Sequence, residues 1–309
     1  MAYGTPERPE QVEDYFTHIR GGRTPSPEAV ERLRRRYERV GGRTPLLEIT
    51  EKVCSSLERE LNNRSDVRYR VYAGMKHWHP YIGEVMPRIA ADGINRVIAV
   101  ALAPHFSRIS IGGYHKAVDD SQAKLTNALS VTFVESWHLQ PEFLDLIAAL
   151  ARTALAKFPA KERDKVVTVF SAHSLPQRIR EWNDPYESQL LASSAAIAQR
   201  AGLVDWRFAW QSAGNTGEPW LGPDILDYLG TLHSEGVKSV LQVPIGFVSD
   251  HLEILYDLDI EARGKAGDLG MRYERTEMPN AMPEFIRTLA AVVDVATRRS
   301  EVPAIALVR

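Results

Sequence analysis

One isolated histidine is the residue best placed for chemistry in this chain. His173 lies in the run SAHSLPQ, directly after the strand-like run VVTVFSA and three residues before Pro176. Side chains at the carboxyl end of a parallel strand project into a cleft. By position alone, His173 is either a residue that caps the strand by hydrogen bonding or a residue that faces a ligand.

An acidic helix follows about eighty residues later, where the chain reads SDHLEILYD and Glu253, Asp257 and Glu261 recur every four residues. That spacing stacks three carboxylates on one helical face, and the alignment improves if the helix is locally wide. An acidic stripe is normally a solvated face, but here apolar neighbours such as Leu252 and Ile254 surround the carboxylates. A row of carboxylates that leads to one imidazole suits a divalent cation that binds only transiently, because oxygen ligands bind such a cation less tightly than thiolates do.

Two aromatic clusters are further candidates. Trp220, in the run PWLGP, precedes a predicted helix. Pro223 and Asp224 are residue types favoured at the start of a helix. Lys76 and His77 open the run KHWH after another strand-like segment. From position alone, each cluster could either belong to the core or form a wall against a flat ligand.

An alternation of strand-like and helix-like runs must position these residues. Several strand-like runs are almost continuously apolar, which is typical of strands buried on both faces. They span residues 67–73, 96–101, 130–135, 166–171, 207–211, 239–243 and 271–274. The helix-like runs between them include 45–62, 81–92, 141–157, 186–201 and 223–235. This alternation predicts a bilobal α/β protein with parallel sheets, whose ligands lie beyond the carboxyl ends of the strands.

Composition excludes several classes of protein. The 309 residues carry 38 Lys and Arg against 40 Asp and Glu, so a net charge of -2 gives no drive towards nucleic acid or an anionic membrane. Cys54 is the single cysteine, which excludes an internal disulfide, a cysteine-ligated zinc and an iron–sulfur cluster. The sequence has no run approaching eighteen apolar residues and no signal pattern, so we expect a cytoplasmic protein.

An ordered set of motifs resembles a known family. The motifs are MAYGTP, THIRGGR, RRRYERVGG, GMKHWHP, APHFS, SAHSLP, DPY, WQSAGNT, PWLGPD, VPIGFVSDHLEILYD and MPN. Together they resemble ferrochelatase, specifically the coproporphyrin III type of monoderm bacteria, over about residues 1–298. The resemblance implies two similar Rossmann-like, chelatase-type lobes, each a parallel four-stranded sheet flanked by helices, with the active-site cleft between them. We expect lobes at 1–140 and 141–309, with a helix at about 282–298 packing back on the first lobe.

The resemblance also implies roles for individual residues. His173 and Glu253 become the catalytic pair and the first metal ligands, with Asp257 and Glu261 continuing the metal path. The substrate-binding positions are Tyr3, which faces the iron from the opposite side, Arg20, Arg36, Tyr37, Thr44 and Tyr114, and, matched more loosely, Lys76, His77 and Trp220. An unperturbed pKa of about 6.5 would let His173 act as base or metal acceptor near neutral pH.

The implied reaction is insertion of ferrous iron into coproporphyrin III to give coproheme in haem biosynthesis. Alternatives are a protoporphyrin IX ferrochelatase and a non-catalytic porphyrin carrier of the same fold; Tyr3 favours coproporphyrin. Iron is then a substrate, and no cofactor is expected. We expect a monomer with transient handover to coproheme decarboxylase, and no nucleic-acid or membrane partner.

Three features stand apart from these roles. Gly21 occupies a position where relatives often have a second arginine. The chain starts at Met1, where relatives carry several more residues of the first strand, so either the start codon is misassigned or a short stub suffices. Residues 301–309 are apolar enough to dock on the protein.

Overall fold

A computed structural model describes residues 1–214 and 216–301. The strands are β1 (Arg96–Val100), β2 (Ser130–Val134), β3 (Val167–His173), β4 (Trp206–Gln211), β5 (Ser239–Pro244) and β6 (Arg272–Arg275). Segment 301–309 was expected to dock on the protein, but its residues beyond 301 lie outside the described part. All six strands match runs predicted from the sequence.

Helices cover the strands. They are α1 (Val12–Ile19), α2 (Pro27–Arg39), α3 (Leu46–Arg64), α4 (Ile82–Ala91), α5 (Ile111–Gln122), α6 (Pro141–Leu155), α7 (Tyr186–Ala201), α8 (Ile225–Ser234), α9 (Leu252–Leu255), α10 (Arg263–Asp268) and α11 (Pro283–Glu301). Their ends follow local chemistry. The Ser26 side chain accepts from the Ala29 amide at the start of α2, and Asp224 caps α8 by accepting from the Leu226 amide. Gly202 ends α7 with a φ of 69°.

The two sheets differ in size. β3 to β6 form a four-stranded parallel sheet in the order β4-β3-β5-β6, whereas β1 and β2 form a two-stranded parallel sheet. The α/β class with parallel sheets flanked by helices is confirmed. The four-stranded sheet expected for each lobe is present in the second lobe, and the first lobe has two regular strands within the described residues.

The strand predicted at 67–73 is wrong, and its hydrogen bonding explains why. The Tyr69 amide donates to the Asn62 side chain and the Val71 amide to Glu58, so α3 side chains replace a neighbouring strand. A cavity of about 700 Å³ lies between this segment and β1. Just after this segment, Met75 pairs with Ala2 in an isolated parallel bridge, where a short stub of the first strand would lie.

Helix α11 joins the two halves of the molecule. It packs against α3, β1 and β2 on one side and against α6 on the other. Arg64 at the end of α3 pairs with Asp294 at 3.1 Å. Phe285 and Leu289 from α11 are buried in the largest apolar core. Among residues 1–214 and 216–301, none of the helices combines the length and apolar character needed to cross a bilayer.

Candidate active site

His173 and Glu253 face each other at the carboxyl end of the larger sheet. His173 is the last residue of β3, and Glu253 lies in the first turn of α9. His173 Nε2 is 3.5 Å from Glu253 Oε1, and the two side chains are 32% and 29% exposed, so a small cation can reach both. His173 Nδ1 donates to the Ser174 carbonyl. This bond leaves Nε2 as the atom that binds a proton or a metal.

His173 and Glu253 shift each other's pKa. Burial opposes the charged imidazolium, but the charge and hydrogen bond of Glu253 outweigh it and raise the pKa of His173. Burial likewise opposes the Glu253 carboxylate, but His173 and then His251 outweigh it and lower its pKa. The charge of Glu253 thus favours the protonated imidazole of His173 more than an ordinary histidine environment would.

Asp257 is joined to the first lobe by an ion pair. Its Oδ1 accepts from Arg36 on α2, and its Oδ2 accepts from the Ser212 hydroxyl. Burial, opposed by Arg36 but reinforced by Glu253, raises the pKa of Asp257 to about 6. The Arg36 guanidinium also lies 4.6 Å from the centre of the Tyr256 ring. Arg36 was expected near a porphyrin propionate, and in this structure it forms an ion pair with Asp257.

The acidic helix is locally wide, as the spacing of its carboxylates favours. Residues Asp257–Ala262 form a π-helix, in which the Glu261 amide donates to the Tyr256 carbonyl at 3.0 Å. This widening keeps residues four apart on one side of the helix. Glu261 is half-buried, and the described residues show no ion pair for it.

Tyr3 and His77 form the opposite wall. Their ring centres are 4.5 Å apart, and Tyr3 is 42% exposed. Desolvation and then the charge of Glu253 raise the pKa of Tyr3, so its phenol is neutral at physiological pH. Gly4 has a φ of 99°, and a Cβ there would lie 2.7 Å from the Trp78 nitrogen. A glycine is therefore required for Tyr3 to turn towards the cleft.

Lys76 lies beside Tyr3 and His77 without an anionic partner. Its ammonium is 5.3 Å from the Tyr114 ring centre, and burial lowers its pKa. A Cβ on Gly113 would lie 2.2 Å from Lys76 Nζ, so that glycine leaves room for the lysine. Arg20, an exposed residue at the end of α1, lies over the Phe16 ring. Neither Lys76 nor Arg20 forms an ion pair within the described residues.

Tyr37, Thr44 and Tyr114 lie behind the surface of the cleft. Tyr37 is 1% and Thr44 6% exposed, and both contact the Thr5 hydroxyl, at 3.2 and 2.9 Å. Burial raises the pKa of Tyr37 to about 12. Tyr114 is also buried, at 6% exposure. Their expected contact with the porphyrin stays a prediction, and in this structure the hydroxyls of Tyr37 and Thr44 lie beside that of Thr5.

Trp220 lies on the same side as His173. Their ring centres are 6.2 Å apart, and the Trp220 indole donates to Thr216. A Cβ at Gly214 would lie 2.4 Å from the Trp220 ring, so the glycine seats the indole. The predicted wall position for Trp220 is consistent with this place beside His173.

Three residues of the site had no role in the sequence analysis. His251 Nε2 lies 3.7 Å from Glu253 Oε2, on the side away from His173. Gln211 donates to the Glu253 carbonyl, and Ser212 binds Asp257. Gln211 ends a predicted strand and Ser212 follows it, so the rule that sites lie at the carboxyl ends of strands would have found them.

The four residues expected to bind metal do not converge on one point. The described residues hold no group of three or more His, Cys, Asp or Glu arranged to bind a metal ion. His173 and Glu253 form a pair, whereas Asp257 is turned towards Arg36 and Ser212. A two-residue site suits an ion that is passed on rather than retained.

Comparison with known proteins identifies the family. The family model described as ferrochelatase matches residues 1–297. The chain belongs to the ferrochelatase family. It is 53% identical to a ferrochelatase of Herpetosiphon aurantiacus over 95% of this chain and 96% of the relative. It is 44% identical to the coproporphyrin III ferrochelatase of Bacillus subtilis over 95% of each chain. The protein is therefore a metal-chelatase enzyme of porphyrin and haem biosynthesis.

Solved structures show the same fold at low identity. SirB from Bacillus subtilis with Fe3+ matches with a TM-score of 0.57 and 11% identity, covering 82% of this chain and 92% of that one. CbiX, described as the terminal enzyme of sirohaem biosynthesis in denitrifying bacteria, matches with a TM-score of 0.52 and 13% identity, covering 82% and 92%. These matches confirm the chelatase-type, Rossmann-like fold.

Proposed function

We propose that this ferrochelatase inserts ferrous iron into coproporphyrin III and releases coproheme, with His173 and Glu253 as the metal pair. The observation that carries the proposal is the 3.5 Å approach of His173 Nε2 to Glu253 Oε1 at the carboxyl end of β3. Tyr3 lies on the opposite wall and is electrostatically coupled to Glu253. A flat macrocycle between these walls would have the metal pair on one face and a neutral phenol on the other.

The protons of the reaction balance within this site. Iron binding to Nε2 and the Glu253 carboxylate expels the proton that the pair holds at rest. Transfer of iron to the porphyrin then frees two pyrrole protons. One returns to His173, and Asp257, whose pKa is about 6, takes the other before releasing it to water. Each turnover thus exchanges one ferrous ion for two protons and restores the resting pair.

Unpaired cations favour a highly carboxylated substrate. Coproporphyrin III carries a propionate on every pyrrole ring, whereas protoporphyrin IX has vinyl groups in place of some of them. Lys76 and Arg20 have no anionic partner among the described residues, and a desolvated ammonium is stabilised by a carboxylate. Relatives named coproporphyrin III ferrochelatase, at 44% identity, support this choice.

The test compares two substrates. The purified enzyme is mixed anaerobically with ferrous iron and either coproporphyrin III or protoporphyrin IX, and loss of free-porphyrin fluorescence is followed. We expect kcat/KM for coproporphyrin III to be at least about tenfold higher, since one added charged contact contributes roughly 1.4 kcal/mol or more. Equal or faster turnover of protoporphyrin IX would reject the assignment of substrate. Turnover of neither porphyrin would reject the activity itself.

Lys76→Met provides a matched variant that keeps the length of the side chain without its charge. It is expected to lower kcat/KM for coproporphyrin III more than that for protoporphyrin IX. An equal loss on both substrates would show that Lys76 supports the wall rather than binding a propionate.

A further inference from the structure

Gln211 bonds the backbone next to both members of the metal pair. It is the register partner of His173 in the sheet, and its carbonyl accepts from the Ser174 amide at 2.7 Å. Its side-chain amide donates to the Glu253 carbonyl at 3.0 Å. A single residue therefore fixes the strand end that carries the imidazole and the helix turn that carries the carboxylate.

A buried polar chain holds the Gln211 side chain in place. The Ser171 hydroxyl donates to Gln211 Oε1 at 2.8 Å, and the Gln242 amide donates to the Ser171 hydroxyl at 2.6 Å. All three side chains are fully buried and lie on the adjacent strands β4, β3 and β5. Gln242 Oε1 has no partner, which is a destabilising feature in a core. An apolar core would avoid this cost, so stability alone does not account for the chain.

Ser212 makes a similar positioning contact with the acidic helix. Its hydroxyl donates to Asp257 Oδ2, and its φ is 60°, a left-handed conformation that is unfavourable for a serine. Such strain persists where surrounding contacts impose it. Gln211 and Ser212 are consecutive residues, so the end of β4 holds both Glu253 and Asp257.

We propose that Gln211 and Ser212 are positioning residues for metal insertion. They set the distance between the imidazole of His173 and the carboxylate of Glu253. They also orient the carboxylate of Asp257, which lies on the π-helix. Neither side chain needs to touch iron or porphyrin. This inference rests on the proposed function for its kinetic readout, but its metal-binding readout is independent of turnover.

The test separates positioning from stability at Ser212. Ser212→Ala and Ser212→Gly both remove the hydroxyl, but glycine also relieves the left-handed strain, so Ser212→Gly should have the higher melting temperature. We expect both variants to raise the KM for ferrous iron about tenfold, as is usual when a group that orients a metal ligand is lost. The KM for porphyrin should stay within about twofold. Wild-type kinetics in Ser212→Gly would overturn the role of Ser212.

Gln211→Met keeps the size of the side chain and removes its hydrogen bonds. We expect kcat to fall about tenfold with an unchanged porphyrin KM. Ser194→Ala is the matched control, because Ser194 is fully buried and its hydroxyl bonds only the Leu190 carbonyl of its own helix. It should lower the melting temperature without affecting kcat. A loss of kcat in Ser194→Ala as large as that in Gln211→Met would show that general destabilisation is the cause.

Calorimetric titration with Zn2+ alone gives the independent readout. Ser212→Gly and Gln211→Met should each bind Zn2+ about tenfold more weakly than the wild type, whereas Ser194→Ala should bind it equally well. Unchanged Zn2+ binding in both site variants would overturn the inference, even if the wild type proved to metalate a different porphyrin.

Discussion

Replacing Glu253 by glutamine tests the coupling on which the proposed mechanism depends. Glu253 raises the pKa of His173 to about 9, against the opposing effect of burial. Without the carboxylate charge, burial remains, so the pKa of His173 should fall below its ordinary 6.5. This difference corresponds to about 3 kcal/mol of coupling, and partial solvent screening of side chains 32% and 29% exposed reduces it to about 2 kcal/mol.

The pH dependence of that coupling has a defined sign. The raised pKa of His173 stabilises the fold below pH 6.5, and this contribution is lost as pH rises through about 9. The lowered pKa of Glu253 stabilises the fold above 4.5 and is lost in acid. The wild type should therefore exceed Glu253→Gln in unfolding free energy most clearly between about pH 5 and 6.5, and the difference should shrink as the pH rises through about 9.

Two measurements check this prediction. Proton NMR of the His173 ring gives its pKa in each protein, and urea unfolding at several pH values gives the stability difference. Metal insertion by Glu253→Gln should fall about 30-fold, because about 2 kcal/mol of metal and proton binding is lost. An unchanged His173 titration in Glu253→Gln would refute the ion pair and, with it, the exchange of iron for protons.

The remaining predictions concern metal delivery and the porphyrin wall. His173→Ala should still quench porphyrin fluorescence on binding but lose iron insertion; turnover at the wild-type rate would remove His173 from the mechanism. Glu261→Gln should raise the metal KM more than the porphyrin KM in steady-state assays, and an equal rise in both would argue against a path along the π-helix. Gly113→Ala should displace Lys76, whose Nζ would lie 2.2 Å from the new Cβ, and raise the coproporphyrin KM several-fold while the melting temperature changes little. An unchanged KM would mean that Lys76 does not bind substrate.

The elements of the second lobe were predictable because their signals are local. Runs such as that ending at His173 are apolar on both faces, and buried parallel strands require this pattern wherever they occur. The segment at 67–73 has a similar composition but is not a strand, because Asn62 and Glu58 of α3 bond its backbone instead. Strand formation depends on a neighbour as well as on propensity, and composition does not reveal the neighbour.

The candidate site was predictable to the level of residue type and spacing. Carboxylates four residues apart share a helix face by helical geometry, and the π-helix at Asp257–Ala262 preserves that relation. Partner choice was not predictable. Arg36 was expected at a propionate, yet it pairs with Asp257, which lies 221 positions away in the chain. Long-range pairs of this kind depend on how two separate elements pack.

The sequence by itself determined that this is a ferrochelatase built from alternating strands and helices, and it predicted His173 and Glu253 as the metal pair. Those conclusions depend on ordered motifs and on periodicities that each segment carries alone. Only the tertiary structure decided that Glu253 raises the pKa of His173, that Tyr37 and Thr44 are buried, and that Gln211 bonds the backbone next to both members of the metal pair. The reason is physical: pKa, burial and hydrogen bonding are set by which atoms lie within a few ångströms, and folding brings those atoms together from distant parts of the chain.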